Sequence, residues 1–264
     1  MIKKSIIFMS LALAFSTMCQ AQSRKVITLP SWDFSRDGKV WSQVAVPHDW
    51  AIAGPFDKKW DLQMVAIEQN GEKEKSEKSG RSGALPWIGE GMYKMNWTAP
   101  KGYKRAVLVF DGAMSQPVVT VNGKEAGKWA YGYNAFRIDI TPFIQFGKKN
   151  LIEVHLNNVE ESSRWYPGGG LYRPVSVELY GNENFSTWDT FVRTLKADKQ
   201  EAEVEVNALL EGKVGKSGKT VIALLDEAGT KVAEQTIPGA TPEIKTSLKV
   251  ANPQLWSPES PYLY

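Results

Sequence analysis

The side chains best suited to bind a ligand lie close together in one aromatic, glycine-rich segment, residues 162–173. Arg164 carries a planar guanidinium with several donors, Trp165 and Tyr166 carry large rings, and residues 168–170 are consecutive glycines. Sugars bind to such surfaces because their C–H faces pack on aromatic rings while their hydroxyls bond to multidentate polar groups. The alternative is that the Trp165 and Tyr166 rings plug the end of a β-sandwich. The residues alone leave both interpretations open.

A second candidate site lies at His48 and Asp49, within Pro47-His48-Asp49-Trp50. A loop histidine beside a carboxylate is able to contact a ligand, so both residues are candidates for substrate binding. The alternative is a histidine bonded to local backbone at a strand end, and the low base rate of functional single histidines favours it. His155 alternates with apolar neighbours, which predicts a solvated side chain on a polar strand face.

Composition excludes several kinds of chemistry. The chain has two histidines and one cysteine, so neither a metal site nor a nucleophile–base pair is expected. The three glycines lead into a strand-like stretch rather than a helix, which excludes a nucleotide-binding fingerprint. Lys and Arg number 32 against 29 Asp and Glu, and no dense basic run occurs. A nucleic-acid partner is therefore excluded, and no cofactor is expected.

The carboxylates do not form a recognisable catalytic pair. Glycoside hydrolysis requires two carboxyl groups that face each other across about 5 to 10 Å. Adjacent Glu160 and Glu161 are interpreted as a solvated loop pair, and the alternating Lys and Glu residues of 73–78 as a charged surface insertion. No catalytic residue is predicted in this chain.

The first 21 residues have the pattern of a secretory signal peptide. Lys3 and Lys4 precede an apolar stretch over residues 6–15, and small residues precede a cleavage point after Ala21. Cleavage before Cys19 would instead create a lipoprotein, but the bulky Met18 disfavours it. We therefore expect a periplasmic or secreted protein whose mature part lacks cysteine and folds without disulfides.

The apolar period along the mature chain is two, which predicts β-strands. Asn122-Gly123 between two apolar stretches predicts a two-residue hairpin, and residues 141–144 predict a single helical turn. Short strands at this spacing bury their apolar faces against another sheet, so the fold class is all-β. The predicted strands are 93–98, 105–110, 118–121, 124–129, 135–140, 152–156, 175–180, 187–196, 201–208, 220–225, 231–237 and 244–250.

A change of composition near residues 181–184 predicts two domains. Eight of the ten tryptophans precede it, while the later part is rich in Lys, Glu, Val and Ala. The later part is typical of an immunoglobulin-like sandwich, but five strands and a sixth starting at Tyr262 fall short of the usual seven or so. We therefore expect this domain to be completed by residues after Tyr264.

Five ordered segments carry a resemblance to a known family. They are similar to the N-terminal sugar-binding domain of glycoside hydrolase family 2, the β-galactosidase family, and residues 255–264 resemble the family's second domain. The five segments are 46–56 (VPHDWAIAGPF), 89–94 (GEGMYK), 121–124 (VNGK), 131–141 (YGYNAFRIDIT) and 162–173 (SSRWYPGGGLYR).

After the predicted signal peptide (1–21), the resemblance implies a jelly-roll, galactose-binding-like β-sandwich (22–181) and a truncated immunoglobulin-like β-sandwich (182–264). It also implies a (β/α)8 barrel after Tyr264 that carries both catalytic glutamates, neither of which has a matching position here. In some family members a carboxylate of the jelly roll touches the sugar, and Arg164 takes its matching position.

The resulting hypothesis is the non-catalytic N-terminal part of a secreted family 2 glycosidase, most consistent with a β-galactosidase. Its expected partners are a carbohydrate substrate and the barrel in cis, with a homo-oligomer left open. Two alternatives are an independent carbohydrate-binding module and a β-sandwich adhesion protein.

Overall fold

The structure is a computed structural model that describes residues 24–60, 62–65, 71–74, 76–79, 87–159, 166–212, 218–239 and 241–264. These residues form β-strands and one 3₁₀ turn at Lys58–Trp60, with no α-helix among them, so the all-β prediction is confirmed. No helix in these ranges has the length and hydrophobicity needed to cross a bilayer. The predicted signal peptide and Glu160, Glu161, Arg164 and Trp165 lie outside the described residues.

The strands before residue 182 build two stacked sheets. One sheet has the order β1-β12-β7-β10, and the other has the order β3-β2-β6-β11-β8-β9. A separate two-stranded ribbon pairs β4 with β5. The strands are β1 Lys25–Thr28, β2 Ser31–Ser35, β3 Ser42–Ala45, β4 Leu62–Val65, β5 Ser76–Ser79, β6 Glu90–Thr98, β7 Arg105–Phe110, β8 Val118–Val121, β9 Lys124–Lys128, β10 Phe136–Asp139, β11 Lys149–Asn157 and β12 Val175–Tyr180.

The core lies between these two sheets and follows the period-two pattern of the sequence. In β11, Ile152, Val154 and Leu156 are fully buried, while Glu153 and His155 between them are partly exposed. His155 contacts Glu90 at 3.1 Å on that outer face, where a solvated side chain was predicted. Each strand therefore presents one apolar face to the opposite sheet.

The Asn122-Gly123 hairpin forms as predicted between β8 and β9. Val121 pairs with Lys124, which leaves a two-residue loop. Asn122 has φ 51° and Gly123 has φ 77°, the left-handed pair that this tight turn requires. The predicted turn at residues 141–144 is also present, because the Ile140 carbonyl accepts from the Phe143 and Ile144 amides.

The strands after residue 182 are arranged around a long central strand, β15. It pairs with β14 and β13 on one side and with β18 on the other, while β16 and β17 form a separate hairpin. All residues of β14 are exposed, including Phe191, Val192 and Leu195. The division of the chain at residue 181 into two domains stays a prediction. The strands are β13 Glu183–Phe185, β14 Phe191–Ala197, β15 Glu201–Gly212, β16 Lys219–Leu225, β17 Lys231–Pro238 and β18 Glu243–Ala251.

One sequence prediction was wrong in this part of the structure. No strand begins at Tyr262, because the local backbone forms a turn in which Ser257 pairs with Ser260 and the Tyr262 amide donates to the Ser260 carbonyl at 2.8 Å. In the first part of the chain, the charged run 73–78, predicted as a surface insertion, contributes to strand β5, which pairs with β4 and places Ser79 opposite Leu62. Strand pairing needs only backbone groups, so an alternating charged sequence does not prevent it.

Candidate functional site

The two segments singled out by sequence meet at one end of the first sandwich. Residues 48–50 follow β3 and run beside residues 169–171. The His48 amide donates to the Leu171 carbonyl at 2.7 Å, and the Trp50 amide donates to the Gly169 carbonyl at 3.0 Å. The candidates His48, Asp49 and Tyr166 are therefore brought together, although more than a hundred residues separate the two segments.

Asp49 joins these segments through three hydrogen bonds. Its Oδ1 accepts from the Ala51 amide at 3.0 Å and from the Gly169 amide at 3.1 Å, and its Oδ2 accepts from the Tyr166 hydroxyl at 2.5 Å. Burial, together with the neighbouring Asp49 charge, raises the pKa of Tyr166, so its phenol keeps the proton that it donates. We call Asp49, Ala51, Tyr166 and Gly169 the Asp49 cluster.

His48 belongs to a separate hydrogen-bonded chain that passes through Tyr93. The Leu171 amide donates to the Tyr93 oxygen at 3.3 Å, and this hydroxyl lies 2.7 Å from His48 Nδ1. Burial strongly raises the pKa of Tyr93, so the hydroxyl keeps its proton. Which of the two groups donates in the Tyr93–His48 bond follows the tautomer of the imidazole. The partner of His48 is a side chain on β6, where the simpler interpretation expected local backbone.

Trp50 explains why the segment around residue 169 is rich in glycine. The Trp50 ring is completely buried, and a Cβ at Gly169 would lie 2.4 Å from its Nε1. Gly170 has φ 98°, and a Cβ there would lie 2.2 Å from the Tyr93 hydroxyl. A side chain at either position would displace an aromatic residue from the core.

A pocket of about 510 Å³ opens beside His48, on the β2 side of the site. The Arg36 guanidinium lies at its wall, donates to the Trp50 and Gly54 carbonyls, and stands 4.9 Å from the centre of the Trp87 ring. These bonds hold the loop after Trp50 against the sandwich. Within the described ranges, no group of three or more His, Cys, Asp or Glu side chains is placed to hold a metal ion.

The two segments that the sequence singled out are in contact, but the sequence analysis missed residues that complete this contact. Tyr93 was predicted only as a strand residue, and Trp50 and Gly169 were not assigned a role. The sequence did carry a signal for this contact, because an aromatic-rich stretch occurs together with consecutive glycines. A large buried ring can pack directly on the backbone where the neighbouring residue has no side chain. Tyr166 packs against the core cluster, as the plug interpretation expected.

Comparison with known proteins identifies the family. The family model described as glycosyl hydrolases family 2 matches residues 185–264. A putative β-glucuronidase from Formosa agariphila is 32% identical over 88% of this chain and 21% of its own length. The β-galactosidase BoGH2A from Bacteroides ovatus is 31% identical over 85% of this chain and 26% of its own length. The chain belongs to glycosyl hydrolase family 2.

Solved structures agree with this assignment. A glycosyl hydrolase family 2 member from Bacteroides cellulosilyticus superimposes with a TM-score of 0.71 at 29% identity, and the match covers 90% of this chain and 32% of that one. The family 2 chain described here thus spans about a fifth to a quarter of the length of the two curated relatives named above. In this family 2 chain, the polar atoms of Asp49 and Tyr166 are used to join two segments of the protein.

The Asp49 cluster should be a main source of stability for this end of the sandwich. Asp49→Ala leaves the amides of the buried residues Ala51 and Gly169 without an acceptor, and should lower the free energy of unfolding by about 2 to 4 kcal/mol. Tyr166→Phe removes one bond and should cost about 1 kcal/mol. Urea unfolding measures both effects.

A matched control is Asp37→Ala. Asp37 also accepts three hydrogen bonds, from the Lys39 and Val40 amides and the Ser35 hydroxyl, but in an exposed turn where water can replace it. Its substitution should therefore destabilise the protein less than Asp49→Ala does. If Asp49→Ala were no more destabilising than Asp37→Ala, the Asp49 cluster would not hold the two segments together.

His48 should make the protein less stable in mild acid. Burial lowers the pKa of His48, an effect that Arg36 reinforces and Asp49 partly opposes. Between this lowered pKa and the unfolded value of about 6.5, the unfolded chain binds more protons than the folded one. The stabilisation is therefore complete above about pH 6.5 and is lost as the pH falls below it.

The experiment compares urea unfolding near pH 7.5 and near pH 5.5 for the wild type, His48→Gln and His155→Gln. His155→Gln, on the outer face of β11, should keep the loss of stability seen in the wild type. His48→Gln should show a smaller loss on acidification. Equal losses in all three proteins would mean that His48 does not titrate differently in the folded state.

Proposed function

We propose that these residues form the non-catalytic N-terminal part of a longer, secreted family 2 glycosidase that hydrolyses β-galactosides. The observation that carries the proposal is the commitment of Asp49 to three internal hydrogen bonds at the end of the sandwich where the candidate binding segments meet. A retaining mechanism requires an acid/base and a nucleophilic carboxyl group about 5 to 5.5 Å apart. In this proposal both come from a barrel that follows Tyr264.

The first sandwich would contribute the border of the sugar site. The Tyr166 hydroxyl donates its hydrogen bond to Asp49. In this proposal, the residues that contact the sugar directly are therefore Arg164 and Trp165, which precede Tyr166 in the sequence. A Trp ring can take the C–H face of a sugar, and a guanidinium can bond its hydroxyls. In this arrangement, the Asp49 cluster is the rigid anchor from which the segment reaches the substrate.

β-Glucuronide hydrolysis is a second candidate. Arg164 places a cation where some family members carry a carboxylate, and a guanidinium pairs well with the carboxylate of a uronic acid. The Formosa agariphila relative is named a putative β-glucuronidase. Galactosides are neutral and form no such ion pair. Comparing the rate of hydrolysis of a galactoside with that of a glucuronide therefore distinguishes the two candidate functions.

The test compares this 264-residue chain with the protein made by extending it through the following coding sequence. The chain alone should release no nitrophenol from nitrophenyl β-galactoside, because in this proposal both catalytic carboxyl groups belong to the barrel. The extended protein should hydrolyse the galactoside faster than the glucuronide. Heat-sensitive hydrolysis by the chain alone would refute the non-catalytic assignment. An extended protein without glycosidase activity would favour a binding module or an adhesion protein.

Trp165→Ala tests the border of the sugar site in the extended protein. Loss of a ring stacked on sugar should lower kcat/KM roughly fivefold, which corresponds to about 1 kcal/mol. Trp256→Ala is the matched control, because Trp256 is an exposed tryptophan in the segment that follows β18. Unchanged kinetics for Trp165→Ala, with an unchanged melting temperature, would show that this segment faces away from the substrate.

A further inference from the structure

A second candidate site lies far along the chain from His48, where the last strand of the first sandwich leads into β13. Two cavities of about 580 and 170 Å³ lie there, and the linings of both include Tyr180, Ser186 and Thr187. We call these two neighbouring cavities together the junction groove. The larger one falls within the range of roughly 300 to 1,000 Å³ that is usual for ligand pockets.

Each half of the junction groove has an exposed aromatic side chain. Phe185 lines the larger cavity and is 44% exposed, and Trp188 lines the smaller cavity and is 75% exposed. An indole so exposed buries little apolar area in the folded chain, although tryptophan is a residue whose burial stabilises folding strongly. The two rings are three residues apart in sequence, and each lines one of the two cavities.

The turn that carries Trp188 is fixed by its own hydrogen bonds. The Ser186 amide donates to the Leu209 carbonyl at 2.7 Å, its hydroxyl donates to Asp189 at 2.5 Å, and the Thr190 hydroxyl donates to the Ser186 carbonyl at 3.0 Å. The ring is thus presented on an ordered turn. A preorganised platform loses little conformational entropy when a ligand stacks on it.

The polar wall of the smaller cavity is centred on Arg105. Its Nε donates to Asp139 at 2.9 Å and its Nη1 donates to Glu211, which also accepts from Asn184 at 3.2 Å. Burial alone would raise the pKa of both carboxyls, but these hydrogen bonds and, for Asp139, those from Thr141 outweigh it and lower the pKa. Both groups stay ionised, partly exposed and able to accept further hydrogen bonds.

The charges of the described residues around the groove balance. Behind the wall, the buried Glu178 is paired with Arg24 and Arg137. With Glu178 included, these described residues comprise four basic and four acidic side chains. The basic residues are Arg24, Arg105, Arg137 and Lys219, and the acidic residues are Asp139, Glu178, Glu183 and Glu211. Such a surface has no net attraction for a polyanion.

From this geometry we propose that the junction groove binds a neutral oligosaccharide chain. Trp188 and Phe185 stack on two of its sugar rings, and the carboxylates of Asp139 and Glu211 accept hydrogen bonds from its hydroxyls. The site is non-catalytic and goes beyond the proposed hydrolysis, because it would hold a polymeric glycan while another part of the protein acts on it. Apolar rings between charge-balanced polar groups suit a sugar, which has apolar faces and uncharged hydroxyl edges.

The binding test uses the full chain in native gels that contain soluble β-1,4-galactan, xyloglucan or galactomannan, with heparin as the polyanion. At least one neutral glycan should retard the wild type. Trp188→Ala and Phe185→Ala should each weaken binding by about fivefold or more, and Trp188→Tyr, which keeps a ring, should retain most of it. Trp256 is also largely exposed, at 60%, but lies outside the groove, so Trp256→Ala should bind as the wild type does.

The outcomes separate this proposal from its competitors. Melting temperatures equal to that of the wild type exclude misfolding as the cause of weakened binding. Absence of retardation by all three neutral glycans, or equal binding by Trp188→Ala, would overturn the proposal, as would stronger, salt-sensitive retardation by heparin. Binding is measured on this chain without hydrolysis. An extended protein that lacks glycosidase activity would thus defeat the proposed function and leave this result untouched.

Discussion

Burial of the Trp50 ring is the constraint on which the first sandwich's functional end depends. The ring is fully buried, and the Gly169 backbone approaches it so closely that no side chain fits between them. This contact draws residues 166–171 across the end of the sheet that contains β6. His48 and Asp49 precede Trp50 in sequence, so they are carried to the same place. The Asp49 cluster and the His48–Tyr93 bond are therefore consequences of one packing arrangement.

The same arrangement decides what the polar side chains can do. The described contacts of Asp49 and Tyr166 are within the protein, and they fasten a loop that sequence patterns alone associate with sugar binding. A carboxylate with three donors is well suited to position a segment and poorly suited to proton transfer. Asp49 and Tyr166 thus contribute shape and anchoring to this end of the sandwich.

The two groups of strands differ in how much apolar surface they bury. The first sandwich encloses a continuous core, whereas β14 is exposed along its whole length. Between them, Arg105 links Asp139 of β10 to Glu211 of β15, so a charged network joins the two groups of strands. Polar contacts tolerate some remaining solvent, whereas apolar packing would exclude it. A groove can therefore remain at this charged junction. The exposed Trp188 ring lies at its smaller cavity.

The sequence by itself determined several strands of the first sandwich. The boundaries of β7, β8 and β12 are those predicted, because these segments are rich in valine and other residues that favour strands. The Asn122-Gly123 turn is also as predicted, because these two residues tolerate positive φ. The short strands β1 to β5 and β13 were missed, since so few residues carry no clear period and pairing depends on the neighbouring strand. The sequence also selected His48, Asp49 and Tyr166. Only the tertiary structure could join Asp49 to Tyr166, place Tyr93 behind His48 and open the junction groove. Those contacts connect residues far apart in the chain, and their geometry is decided by packing, which no local pattern encodes.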